Sequence, residues 1–171
     1  MRCSRCGFVK ENSFNSRRFI AEICPKNNFM LCSYCLELTT LVWERIDTLS
    51  KTDGWGQPRC IDGKLIILFS ELQKILDEPV YIHKAYEEEG HVENSFHYSG
   101  QAIDFHVGTQ PVHSLLKVWK ILNEWWNGGL GVYPCWNEPG FHIDMGPKKR
   151  WQKNKEGVYT CMLKSSFLQA A

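Results

Sequence analysis

Apolar residues recur along the chain at two periods, and the switches between them lay out the elements. Leu38, Leu41, Val42, Ile46 and Leu49 fall three to four apart, which predicts a helix from Glu37 to about Leu49. Leu65, Leu68, Phe69, Leu72, Ile75 and Leu76 repeat that spacing. Asp62 is placed to accept from the first free amides and Pro79 to stop the chain, so a second helix is expected from Gly63 to about Asp77. A third starts at Pro111, whose fixed φ and missing N–H suit a first turn. It runs through Val112, Leu115, Leu116, Trp119, Leu122 and Trp126 and stops at Asn127-Gly128-Gly129. Elsewhere short, largely apolar runs between turn residues read as strands: Val80 to Ile82, Ala102 to His106, Leu130 to Tyr133, Phe141 to Met145 and Val158 to Met162. In Ala102 to His106 the apolar Ile103 and Phe105 take one face, and Asp104 and His106 the other. These elements predict an α+β domain whose antiparallel sheet carries packed helices. The turn-rich stretch Thr52 to Pro58 divides the chain into a unit of residues 1–50 and a larger one of residues 58–171.

Composition narrows the function classes. At 171 residues, 43% hydrophobic and 13% aromatic, the chain holds one ordinary domain and a small appendage. A formal net charge of +1 gives no global pull toward nucleic acid. The basic run Lys148-Lys149-Arg150, with Lys153 and Lys155, reads as a solvated face. No apolar run reaches the ~18 residues of a membrane span, and the start at Met1 has no apolar signal region. Synthesis in the cytoplasm without ordinary export, no membrane insertion and a monomer are the expectations.

Eight cysteines then change the picture. Cys3-Ser4-Arg5-Cys6 and Cys32-Ser33-Tyr34-Cys35 form a C-x2-C-x25-C-x2-C pattern, and without an export signal metal binding accounts for it better than disulfides. Two such knuckles aim four thiolates at one structural zinc. The second leads into a helix whose N-terminus favours thiolate charge. The layout resembles a treble-clef or zinc-ribbon module.

The other chemistry lies in Ser95 to Asp104, which reads S-x-H-x-x-G-x-A-x-D, and in Phe141-His142-Ile143-Asp144. His97, Asp104 and His142 are the ligand types of a catalytic zinc that keeps one position open for water. Such an ion acidifies its water and polarises a scissile carbonyl, as amide hydrolysis at neutral pH requires. The two motifs in this order resemble the D-Ala-D-Ala metallopeptidase family, within the wider group that includes lysostaphin-type peptidases and the hedgehog domain. The resemblance covers about residues 60 to 151. It implies that fold, zinc on His97, Asp104 and His142, and cleavage of bacterial peptidoglycan peptides by a D,D-carboxypeptidase or endopeptidase, such as an enzyme released to the cell wall in phage lysis. The family draws its general base from a residue shortly before the third ligand. Glu138 is the nearest upstream acid and is the expected base, with Asp144 as the rival for that role or as an orienting partner. The family also supplies an Arg near the position of Glu87. Its replacement leaves open an alternative, a zinc-binding interaction module without catalysis. His91 and His113 are assigned to solvent. Trp136 is a candidate substrate contact.

Overall fold

The computed structural model describes residues 3, 5, 19–24, 29–46, 49, 54–108 and 112–161. Phe19–Cys24 (β1) and Phe29–Cys32 (β2) pair antiparallel, a pair the hydrophobic pattern did not reveal. The first helix, α1, is Ser33–Arg45 rather than a helix from Glu37 to Leu49, so it begins between the two cysteines of the second knuckle. Its buried face is also rotated from the expected one. Leu36, Thr39, Val42 and Trp43 are buried, whereas Leu38 and Leu41 are exposed. Hydrogen bonds set this phase: Thr39 Oγ1 lies 2.9 Å from the Ile61 carbonyl, and Trp43 Nε1 donates to the Pro58 carbonyl at 2.9 Å.

The second helix, α2, is Gly63–Leu76, as its pattern predicts, with Asp62 Oδ1 accepting from Lys64 N at 3.0 Å. Asp77 follows in the left-handed region at φ 50°. Leu65, Ile66, Phe69, Leu72 and Leu76 are buried, and Ile75 is exposed. The third helix, α3, is Val112–Trp125, with Leu115, Trp119 and Leu122 buried.

Six strands form the main sheet: Val80–Lys84 (β3), Ala102–Val107 (β4), Gly129–Tyr133 (β5), Gly140–Asp144 (β6), Lys149–Lys153 (β7) and Tyr159–Cys161 (β8). Their order is β3-β4-β6-β5-β7-β8, antiparallel throughout except for the parallel pair β5 and β7. Of the basic run, Lys148, Lys149 and Lys155 are exposed, as a solvated face requires, and Arg150 of β7 departs from it. Arg150 is turned onto the end of α3, where Nε donates to Asn123 Oδ1 and Nη1 to the Gly128 carbonyl, each at 2.7 Å. A cation there meets carbonyls that the helix terminus leaves unpaired.

One face of the sheet packs the core. Ile103 and Phe105 of β4 and Phe141 and Ile143 of β6 are buried with α2 and α3, and the Phe69 and Phe105 rings meet edge to face at 5.1 Å. Each side chain of that size is worth roughly 1.5–3 kcal/mol when fully buried. The other face is thereby left for polar chemistry. Register aligns Asp104, His142, Gly131 and Trp151 across β4, β6, β5 and β7.

Arg5 joins the first knuckle to this body. Its guanidinium donates from Nη2 to the carbonyls of Cys60 and Ser99 and from Nη1 to Thr39 Oγ1, and its Nε lies 3.5 Å from Asp62 Oδ2. Burial lowers its pKa, and the charge of Asp62 opposes that shift.

Candidate metal centre

His97 sits in a single 3-10 turn, Phe96–Ser99, whose first amides are met by Ser95: its hydroxyl accepts from His97 N at 3.3 Å. Gly100 closes the turn at φ 63°, and a Cβ there would collide with the Cys60 carbonyl. A non-glycine residue is therefore excluded by conformation and by space. β4 and β6 then place Asp104 directly opposite His142.

Three potential ligand atoms converge. His97 Nε2 is 3.4 Å from Asp104 Oδ1 and 3.3 Å from His142 Nδ1, and His142 Nδ1 is 2.7 Å from Asp104 Oδ1. Atoms held at about 2.0–2.2 Å from a tetrahedral zinc stand roughly 3.3–3.5 Å apart, so two of the separations fit such an ion. The third is a hydrogen bond between His142 and Asp104.

Each imidazole is held from behind. His97 Nδ1 lies 2.7 Å from the Ala85 carbonyl. A carbonyl only accepts, so the proton is on Nδ1 and the Nε2 lone pair faces the cluster. His142 Nε2 lies 3.2 Å from Asp144 Oδ2, and Asp144 Oδ1 accepts from Gly146 N at 2.7 Å. Asp144 therefore stands across the imidazole ring from the convergence point, with both oxygens engaged. Gly129 makes room for it, because a Cβ there would run into the carboxylate.

These contacts govern the charge states. Burial pushes the His142 pKa down, but its hydrogen bonds to Asp104 and Asp144 outweigh this and raise it to about 9. Burial pushes Asp104 up, and the bonds from His142 and His97 prevail, holding it well below the usual carboxylate range.

The cluster opens into a cavity of about 750 Å³ lined by His91, Tyr133, Trp136, Trp151, Lys153 and Tyr159 among others. Trp136, the expected substrate contact, stacks on Tyr133 at 4.1 Å in its wall. The His142 and Trp151 rings are 5.4 Å apart across Gly131.

His91 corrects the sequence reading. It is not a solvent residue but stacks on the His97 ring, with centroids 4.0 Å apart and planes 8° apart. Tyr98 fixes its loop by accepting from His91 N at 2.9 Å and donating to the His91 carbonyl at 2.6 Å. Glu87 is bound by Lys84 at 2.8 Å and by His91 at 2.5 Å. Burial raises its pKa, but these partners outweigh burial and lower it. Nothing in the polar loop pattern marks His91, because its contacts come from Tyr98 and His97 of the following turn.

Glu138 groups with His83 and His106 and not with His97, Asp104 and His142. It is 64% exposed, with Oε2 3.9 Å from His83 Nε2 and 3.8 Å from His106 Nδ1. Of the four knuckle cysteines, Cys3 and Cys35 have their sulfurs 3.8 Å apart, while Cys6 and the side chain of Cys32 lie outside the described residues. His113 is on α3, its side chain likewise outside them.

A family profile described as peptidoglycan L,D-endopeptidase MepK matches residues 44–151. One curated relative, the probable peptidoglycan L,D-endopeptidase MepK of Haemophilus influenzae, is 40% identical over 63 residues. That alignment covers 37% of this chain and 31% of the relative, so the match spans about a third of the relative's length. No solved structure matches the chain. No helix among the described residues is long and apolar enough to cross a membrane.

Proposed function

The chain belongs to the peptidoglycan L,D-endopeptidase MepK family, and from that premise we propose that it is a zinc-dependent peptidase cutting peptide bonds in bacterial peptidoglycan. The observation that carries the reading is the convergence of His97 Nε2, Asp104 Oδ1 and His142 Nδ1 within 3.4 Å of one another, in a cleft large enough for a peptide. The relatives' name favours an endopeptidase acting on an L,D bond over a carboxypeptidase. Zinc held there would supply a Lewis acid and lower the pKa of a water molecule. The chain's own residues do the rest. Ala85 and Asp144 fix the two imidazoles, His91 braces the His97 ring, and Tyr133, Trp136 and Trp151 give the cleft flat apolar walls for a peptide. Asp144 is a positioning residue in this scheme, because it lies behind His142 and not beside the reacting atoms.

A second, structural zinc on Cys3, Cys6, Cys32 and Cys35 belongs to the proposal. Its support is the 3.8 Å separation of the Cys3 and Cys35 sulfurs. Two ligands 2.3 Å from a tetrahedral zinc stand about 3.8 Å apart.

Incubating the zinc-loaded chain with purified peptidoglycan, and weighing the released peptides by mass spectrometry, tests the activity. Release of fragments cut at an L,D bond is expected. No release, under conditions where a MepK enzyme cuts, would sink it. A second reading, a zinc-binding module without turnover, is favoured by one observation: Glu87 occupies the position of the expected Arg and is tied up by Lys84 and His91. The same assay separates the two.

A further inference from the structure

A second set of ligand-type side chains stands beside the first. The pairing of β3 with β4 shifts register between Ile82 and Lys84, and His83 falls in that irregularity. Bulges of this kind re-aim side chains next to functional sites. Here His83 Nε2 comes within 2.5 Å of His106 Nδ1, while Glu138 Oε2, from the loop between β5 and β6, stands 3.9 and 3.8 Å from those two nitrogens. His83 and Glu138 front a cavity of about 550 Å³ that Lys84 and Asp104 also line.

A simple hydrogen-bonded arrangement serves this group poorly. Both ring nitrogens point into one gap, and two imidazole nitrogens facing each other share a single proton. Glu138 faces the same gap with an oxygen that can only accept once ionised. A cation would meet all three lone pairs together once the two nitrogens part from 2.5 Å to the roughly 3.3 Å that a tetrahedral ion sets. Two imidazoles and a carboxylate are the donor types that zinc and its neighbours in the first transition row take.

We propose that His83, His106 and Glu138 form a second divalent-metal site, separate from the His97–Asp104–His142 centre, whose open side faces the cavity and takes an oxygen ligand such as a carboxylate. Asp104 and His106 are alternate residues on one face of β4, so the two centres lie side by side, with their supporting residues about 7 Å apart along the strand. Paired ions that act on one reacting oxygen sit about 3.5–4 Å apart. These two would therefore engage different atoms of a bound molecule. The second ion would add to the positive charge that Lys84 brings to that cavity. Glu138, put forward by the sequence as a proton acceptor, is in this site a metal ligand.

The test reads metal binding in the full chain and involves no turnover, so its result stands whether or not the peptidase reading survives. Dialysis against zinc followed by elemental analysis should give wild type one more bound equivalent than the His83→Ala/His106→Ala double variant. His97→Ala should lose a different equivalent, and the two losses should add. Glu138→Gln changes an exposed side chain and leaves the fold intact. It should weaken the second equivalent by at least the roughly tenfold that loss of even an outer partner of a metal ligand costs. With cobalt(II) in place of zinc, the band lost in the double variant should lack thiolate character, which sets it apart from a cysteine site. Equal metal content in wild type and the double variant overturns the proposal. So does unchanged affinity in Glu138→Gln, or a double variant that loses only the equivalent lost by His97→Ala.

Discussion

Two imidazole–carboxylate clusters share one face of the sheet, and they are held in different ways. In the His97–Asp104–His142 cluster each ring has a hydrogen-bond acceptor behind it, the Ala85 carbonyl for one and Asp144 for the other. In the His83–His106–Glu138 cluster the rings lean on aromatic neighbours. Tyr81 stacks on His106 at 4.9 Å, and Trp136 lies 5.9 Å from His83. Stacking fixes the plane of an imidazole, whereas an acceptor also fixes which nitrogen carries the proton. The first arrangement fixes the orientation of both rings; the second leaves Glu138 largely in solvent. Charge follows the same division: His142 is raised by its carboxylates, while His106 is lowered by burial and by His83.

Removing a ligand from the better-held cluster should have the largest effect. His142→Ala, or chelation of the wild type, should bring peptidoglycan hydrolysis to background in a release assay, and only the chelated protein should recover with added zinc.

A titration of the metal-free chain sharpens the contrast in charge. His142 has a folded pKa of about 9, above its ordinary value of 6.5, with Asp104, Asp144 and His97 as the groups around it. Its contribution to stability is fully present below pH 6.5 and is lost as pH rises through 9. The shift corresponds to roughly 3 kcal/mol. Thermal melts between pH 6 and 10 should fall over that window, and the fall should shrink in His142→Gln. Equal profiles for the two proteins would contradict the assignment.

Asp144→Asn weakens the feature that distinguishes the first cluster. Metal affinity there should drop about 10- to 100-fold with the fold preserved, as measured by competition with a chromophoric chelator. Smaller still, Gly129→Ala should cost about 1–3 kcal/mol in denaturant melts by crowding the Asp144 carboxylate. It should also loosen metal in the direction of Asp144→Asn.

Much of this was legible in the chain because it obeys local rules. α2 follows its apolar spacing and its Asp62 cap, and the alternation in Ala102 to His106 placed Ile103 and Phe105 in the core and Asp104 on the polar face. Motif order singled out His97, Asp104 and His142, and the structure brings their side chains together. Long-range partners account for what was missed. α1 is phased by Thr39 and Trp43 reaching Ile61 and Pro58, contacts that no heptad of α1 encodes. β7 shows no apolar alternation to read, and Arg150 in it is held by acceptors at the end of a distant helix. His91 and His83 enter their clusters through a loop and a strand irregularity, neither of which leaves a periodic trace.

Arg5 bears on how the protein is assembled. Its guanidinium holds the carbonyl of Ser99, one residue before the left-handed Gly100, and also that of Cys60 and the carboxylate that caps α2. Arg5 is thus a keystone for the turn that carries His97, and it can be seated only after the chain beyond residue 99 has been made. Deleting the segment that carries Arg5 would not trim an accessory. It would leave the turn that carries His97 without the Arg5 contacts beneath it, and, on the proposed metal site, such a fragment should take up metal slowly and hold it loosely even with His97, Asp104 and His142 present.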